Sequence, residues 1–144
     1  MNKNQIVLKL VLDEIGFDIV EIGVFLKRKI LQKKTYLLQL TGVDLGYRYN
    51  WYIYGPYCPA LANDVFALRE EIEHDKEFEE YELNPKTKKK LRILLDTILV
   101  IPPGIEEHER LELLASLHYL KHIAYWAGKG NPKFNEVFQK LIES

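Results

Sequence analysis

Tyr47–Leu68, YRYNWYIYGPYCPALANDVFAL, is the stretch on which the fold turns. Its first half alternates: Tyr47, Tyr49, Trp51 and Ile53 fall on one side, and Arg48, Asn50, Tyr52 and Tyr54 on the other. Aromatic and β-branched residues at a period of two predict a strand over Leu45–Tyr54. Gly55-Pro56 predicts its end, since proline has no N–H to offer a ladder and glycine turns freely. Pro59 then predicts a helix start, because proline is preferred at the first helical position. That helix carries Ala60, Leu61, Val65, Phe66 and Leu68 and runs to about His74.

Working outward, the segments on either side read as helical. Gln5–Ile15 has amphipathic spacing and stops near Gly16. Val24–Leu40 has apolar residues on two adjacent faces, and Gly42 follows as a C-cap able to take positive φ. The acidic segment Lys76–Leu83 reads as a linker, with a short strand at Phe78–Leu83 that pairs with Leu45–Tyr54 as a ribbon. Asn84-Pro85 predicts a capped helix start, and Pro102-Pro103-Gly104 predicts the stop. Ile105–Ala127 predicts the longest helix, apolar on almost every face after Glu112 and therefore central to the core. A last helix starts at Asn131-Pro132. The fold class that follows is mainly α with a small β ribbon: about six helices in one compact domain over residues 1–144, compatible with a winged-helix-like arrangement.

A chain of 144 residues buries enough surface to fold without a disulfide or metal staple. The lone Cys58 has no partner for an internal disulfide, which favours a reducing compartment. The start, MNKNQIVLKLVLDEIG, has Lys9, Asp13 and Glu14 breaking its apolar run and does not read as a signal peptide. No apolar run approaches the about 18 residues of a spanning helix, so a cytoplasmic location is expected.

The net charge of −1 conceals blocks. Lys27, Arg28, Lys29, Lys33 and Lys34 form one basic run, and Lys86, Lys88, Lys89, Lys90 and Arg92 another. Between them Glu70–Glu82 is strongly acidic. This excludes a uniformly nucleic-acid-coating protein and leaves two readings of the basic runs, solvated helix faces or a local patch.

Three blocks carry a family resemblance. KILQKKTYLLQLTG (Lys29–Gly42) has a Leu-Gln-Lys triplet before a Tyr-Leu-Leu run, WYIYGPYCPALANDV (Trp51–Val65) has a Gly-Pro-Tyr signature, and LELLASLHYL (Leu111–Leu120) has a Glu-x-x-Ala-Ser helix. Together they resemble the Panacea, or SocA-like antitoxin-associated, domain family and its uncharacterised bacterial relatives, over about two-thirds of the chain. The resemblance implies a compact, mostly helical domain with no known catalytic centre, linked to toxin neutralisation, adaptor roles and phage-related contexts. Cys58 departs from the pattern, where serine is usual and would cap the next helix.

Candidate sites divide by chemistry. The aromatic block Trp51, Tyr52, Tyr54, Gly55, Pro56 and Tyr57 is the expected partner-binding surface, tyrosine being favoured at interfaces. The competing reading is large rings burying area at the core edge. Arg28, Lys33, Lys88 and Lys89 would contact phosphates if their helices meet, which is the alternative nucleic-acid-binding function of a transcriptional regulator. The helix after Pro59 is poor in Lys and Arg, which counts against base readout there. Cys58 sits at a helix N-terminus, but no local base or oxyanion site accompanies it, so it reads as structural. His118 and His122 share a helix face at zinc-binding spacing, yet Tyr119 stands where a zincin has glutamate. No catalytic residue, metal or cofactor is expected, and the leading function is non-enzymatic capture of a protein partner such as a toxin or defence-system component.

Overall fold

The structure, a computed structural model, describes residues 1–122. It is mainly helical, with five α-helices and one two-stranded antiparallel hairpin among the described residues. The helices are α1 (Lys3–Glu14), α2 (Phe25–Leu40), α3 (Pro59–Glu71), α4 (Pro85–Asp96) and α5 (Glu107–His122). The hairpin, β1 (Asn50–Tyr52) and β2 (Gly55–Tyr57), lies between α2 and α3. A 3₁₀ turn at Ile19–Gly23 joins α1 to α2, and its Ile19 and Ile22 enter the core. The expected helix from Asn131-Pro132, and the expected extension of α5 to Ala127, lie outside the described residues. Among the described residues no helix is long and apolar enough to cross a membrane.

Local chemistry sets the helix ends. Asn2 and Gln5 form a reciprocal capping box on α1. Asn84 Oδ1 accepts from the Thr87 N–H at 2.8 Å, and Pro85 occupies the first position of α4. Pro59 opens α3 as expected, while its N-cap, Cys58, makes no side-chain cap bond. Thr41 closes α2, and Gly42 follows at φ +94°.

The central helix is α2. Every residue from 29 to 38 is buried, including Lys29, Gln32, Lys33 and Lys34. The sequence pointed to the α5 segment for that role, but the described part of α5 buries Leu111, Ala115, Ser116 and Leu120 along one stripe. The reason is that lysine stems pack as hydrocarbon while their ammonium groups find partners. Here α5 supplies them: Lys29 lies 3.0 Å from Glu112, and Lys34 lies 3.2 Å from Glu107. A segment that reads as basic surface is therefore interior.

The β ribbon also differs from expectation. Only Asn50–Tyr52 of Leu45–Tyr54 is strand, and its partner is Gly55–Tyr57, in the register Asn50↔Tyr57, Trp51↔Pro56, Tyr52↔Gly55. Gly55-Pro56 thus begins the return strand, and Ile53-Tyr54 makes the turn. Among the described residues no non-glycine takes positive φ, so the primed hairpin turns are excluded, and Gly55 at φ +92° carries the left-handed position. Phe78–Leu83 is not a strand: Glu77–Glu80 forms a 3₁₀ turn instead.

The alternation predicted for Tyr47–Tyr52 nonetheless holds. Tyr47, Tyr49 and Trp51 are half-buried, whereas Arg48, Asn50 and Tyr52 are exposed. Residues 45–49 have no neighbouring strand, and Gly46 takes φ +80°; at Tyr47 the side chain of Gln39 stands where a strand partner would. Gln39 Nε2 donates to the Tyr47 carbonyl and its Oε1 accepts from the Tyr47 N–H, each at 3.0 Å.

Candidate functional site

The hairpin is held on α2 by the Gln-Lys pair of the Leu-Gln-Lys triplet. Gln32, fully buried, forms a paired amide bridge with the Cys58 backbone: Nε2 donates to the carbonyl, and Oε1 accepts from the N–H, both at 2.9 Å. One turn position on, Lys33 Nζ donates to the Pro56 carbonyl at 2.6 Å. Two of the blocks that stand far apart in sequence are therefore a lock and its bolt. Buried backbone groups must be paired, and these side chains pair them.

Lys33 is only 1% exposed. Loss of water around its ammonium pushes its pKa down to about 8, with Lys29 in the same direction and Glu112 opposing. It remains mostly protonated at neutral pH, so the fold carries a buried charge at a cost of a few kcal/mol.

On the outer side, the hairpin tip and the start of α2 enclose a cavity of about 260 Å³. Phe25, Tyr52, Tyr54 and Tyr57 give its rings, Arg28, Lys29 and Lys33 its cations, and Ile53 and Gly55 complete the lining. Phe25 meets Tyr54 edge-on at 5.3 Å, and Tyr52 meets Tyr57 at 5.4 Å. The Lys29 ammonium lies 5.0 Å from the Tyr54 ring centre, within cation–π reach. Beside the cavity Ile53 is 91% exposed, and Val24, Phe25, Leu26, Tyr52 and Tyr54 are also exposed.

The structure sorts the sequence candidates. Tyr52, Tyr54, Gly55 and Tyr57 line the cavity. Pro56 is buried and gives its carbonyl to Lys33. Trp51 faces the other way and packs on Tyr119 at 5.8 Å, so it belongs to the inner face. Of the phosphate candidates, Lys33 is corrected: it is interior and bound to a carbonyl. Arg28 donates to the Ile22 and Gly23 carbonyls, each at 3.0 Å. Lys88 pairs with Glu82 at 3.4 Å, and Lys89 is exposed. Lys90 of α4 lies beside Gly42, at the far end of α2 from Arg28. At about 1.5 Å per residue Arg28 and Lys90 stand roughly 20 Å apart along that axis. Sequence reasoning missed Phe25, Lys29 and Ile53. For Phe25 and Lys29 the signal is the apolar triplet Val24–Leu26 standing directly ahead of a basic run.

Cys58 is buried, with its backbone clamped by Gln32, in keeping with a structural role. His118 Nδ1 lies 2.7 Å from the Tyr36 hydroxyl, and its ring is 4.7 Å from that of His122. Burial pushes the Tyr36 pKa far up, so the hydroxyl stays protonated in its hydrogen bond with Nδ1. Glu106, His108 and Glu109 bring ligand atoms within 4.8 Å of one another, but the Lys29 ammonium stands 3.2 Å from His108 Nδ1. His108 Nε2 lies 2.9 Å from Glu106, so both of its ring nitrogens have partners.

Burial, with a smaller push from His122, holds His118 below its ordinary value. The unfolded chain then binds more protons than the folded one below about pH 6.5, so stability is intact above that value and falls as pH drops through the folded pKa. His118→Asn keeps an acceptor near the Nδ1 position without titrating. The expected result is that its unfolding midpoint in urea falls less than that of the unaltered chain between pH 7.5 and 5. Equal falls would rule out His118 as a source of acid sensitivity.

No family model, curated protein or solved structure matches the chain.

Proposed function

We propose that this chain is a non-enzymatic protein-interaction domain of the kind its SocA-like resemblance implies. It captures a partner protein, a toxin or defence-system component, through the hairpin tip and the first turn of α2. One observation carries this reading: Ile53, Tyr52, Tyr54, Phe25 and their neighbours form an exposed apolar and aromatic surface on a backbone that buried side chains hold in place. Contiguous exposed apolar surface of this kind commonly marks protein contacts, and a pre-held loop loses little entropy on binding. The winged-helix-like reading, with the basic runs holding phosphates, is weaker. It needs Lys33 at the surface and the two runs together.

Ile53→Asp places a charge at the most exposed point of that surface without touching the clamps. In native affinity purification scored by mass spectrometry, the stoichiometric partner of the unaltered chain is expected to drop at least tenfold on Ile53→Asp. Tenfold corresponds to losing about 1.4 kcal/mol of contact energy. Full retention of the partner by the variant would remove the hairpin tip from the interface. Nucleic acid that co-purifies and leaves at high salt would move the regulator reading ahead.

A further inference from the structure

The chain's four histidines differ in what their ring nitrogens have left to give. His74, just past α3, is exposed beside Glu71 at 3.8 Å. His108 is committed on both sides. The Lys29 ammonium, which can only donate, stands 3.2 Å from Nδ1 and leaves the ring proton on Nε2, 2.9 Å from Glu106. A nitrogen that carries a proton has no lone pair for a ligand.

His118 is placed differently. Its Nδ1 partner is the Tyr36 hydroxyl, at 2.7 Å. A hydroxyl accepts as well as donates, so Nδ1 can carry the ring proton and give it to Tyr36. Nε2 then presents a lone pair, and it has no hydrogen bond of its own. His122, one turn on, is exposed, and neither of its nitrogens is hydrogen-bonded.

Spacing and separation bring the two together. Residues four apart share a helix face, and histidines at that spacing are a known way to chelate zinc. The ring centres lie 4.7 Å apart, with planes tilted by 38°. Two imidazoles on one tetrahedral ion, with metal–nitrogen bonds of about 2.0–2.1 Å, have centres about 5 Å apart. Tyr36 adds what ligating histidines usually have, a partner on the far nitrogen that fixes ring and tautomer. Tyr36 is itself held, buried in α2 with Tyr49 edge-on at 5.2 Å. Two imidazole nitrogens suit Zn²⁺, Cu²⁺ or Ni²⁺ rather than Ca²⁺ or Mg²⁺, which take oxygen ligands.

We propose that His118 and His122 form a transition-metal site on α5 that takes Zn²⁺, with both imidazoles as ligands and the other coordination positions open to water. Tyr36 is a positioning residue for His118. The site goes beyond partner capture and does not depend on it.

The test uses the full chain without a histidine tag, stripped with a chelator and titrated calorimetrically with Zn²⁺. One ion per chain is expected. His118→Ala and His122→Ala should each weaken binding about tenfold or more, while His74→Ala and His108→Ala leave it unchanged. Tyr36→Phe keeps the ring and removes the hydroxyl, and loss of such an outer hydrogen bond should weaken binding about tenfold. His122 is exposed, so His122→Ala tests the site without disturbing the core, and circular dichroism checks the fold of the other variants. In proton–nitrogen spectra of the rings, Zn²⁺ should shift His118 and His122 together, with the His118 change at Nε2. No saturable binding, undiminished binding to His122→Ala, or shifts confined to His74 or His108 would overturn the proposal.

Discussion

Gln32→Met is expected to lower the unfolding free energy by about 2–6 kcal/mol. Methionine has the length and flexibility of glutamine, so the packing volume is nearly conserved and the two hydrogen bonds are what is lost. Both end on the backbone of buried Cys58, whose N–H and carbonyl each lie 2.9 Å from the Gln32 amide. Each backbone group left unpaired in the interior costs about 1–3 kcal/mol, which sets the range. Small domains are stable by only about 5–15 kcal/mol, so the loss takes a large share. Urea unfolding followed by circular dichroism measures it. A change under about 1 kcal/mol would mean that water reaches Cys58 and that the clamp is not what holds the hairpin down.

Gly55→Ala comes next in size. Gly55 has φ +92°, and a Cβ there would fall on the Ser116 hydroxyl of α5. Two costs add. The left-handed conformation disfavours a side chain by about 1–2 kcal/mol. Displacing buried Ser116 resembles overpacking, at about 1–3 kcal/mol. The expected total is about 2–5 kcal/mol, measured in the same way. A double-mutant cycle separates the parts. In a Ser116→Ala background the steric cost should largely vanish and leave the conformational one. Equal costs in both backgrounds would remove the α5 contact from the account, and no cost in either would remove the strain as well.

Much of the helical frame is legible in the chain because its causes are local. Asn84-Pro85, Pro59 and Gly42 each act on their own turn, and the structure places helix ends beside all three. The two-residue alternation of Tyr47–Tyr52 correctly divides inner from outer side chains. What periodicity does not encode is which group satisfies an extended backbone. The pattern points to a strand partner in the acidic segment, whereas Gln39 serves residue 47 and the return strand begins at Gly55, which reads in sequence as a terminator. Charge misled for a related reason. Lys29, Lys33 and Lys34 look like surface until Glu107, Glu112 and the Pro56 carbonyl are brought to them by folding. For the candidate site, the aromatic residues were visible as a block, but their division between a cavity wall and an inner face depends on a turn at Ile53-Tyr54 that the strand pattern ran straight through.

The clamps from α2 share one property. They grip only main-chain atoms: the carbonyl of Pro56 and the N–H and carbonyl of Tyr47 and Cys58. Main-chain atoms are nearly the same whatever residue bears them. The support is therefore indifferent to the identity of the residues at Tyr52, Ile53 and Tyr54, which project from it. Those positions form an interchangeable head on a fixed mount, so a lineage or an engineer can rewrite what the tip presents without rebuilding what carries it.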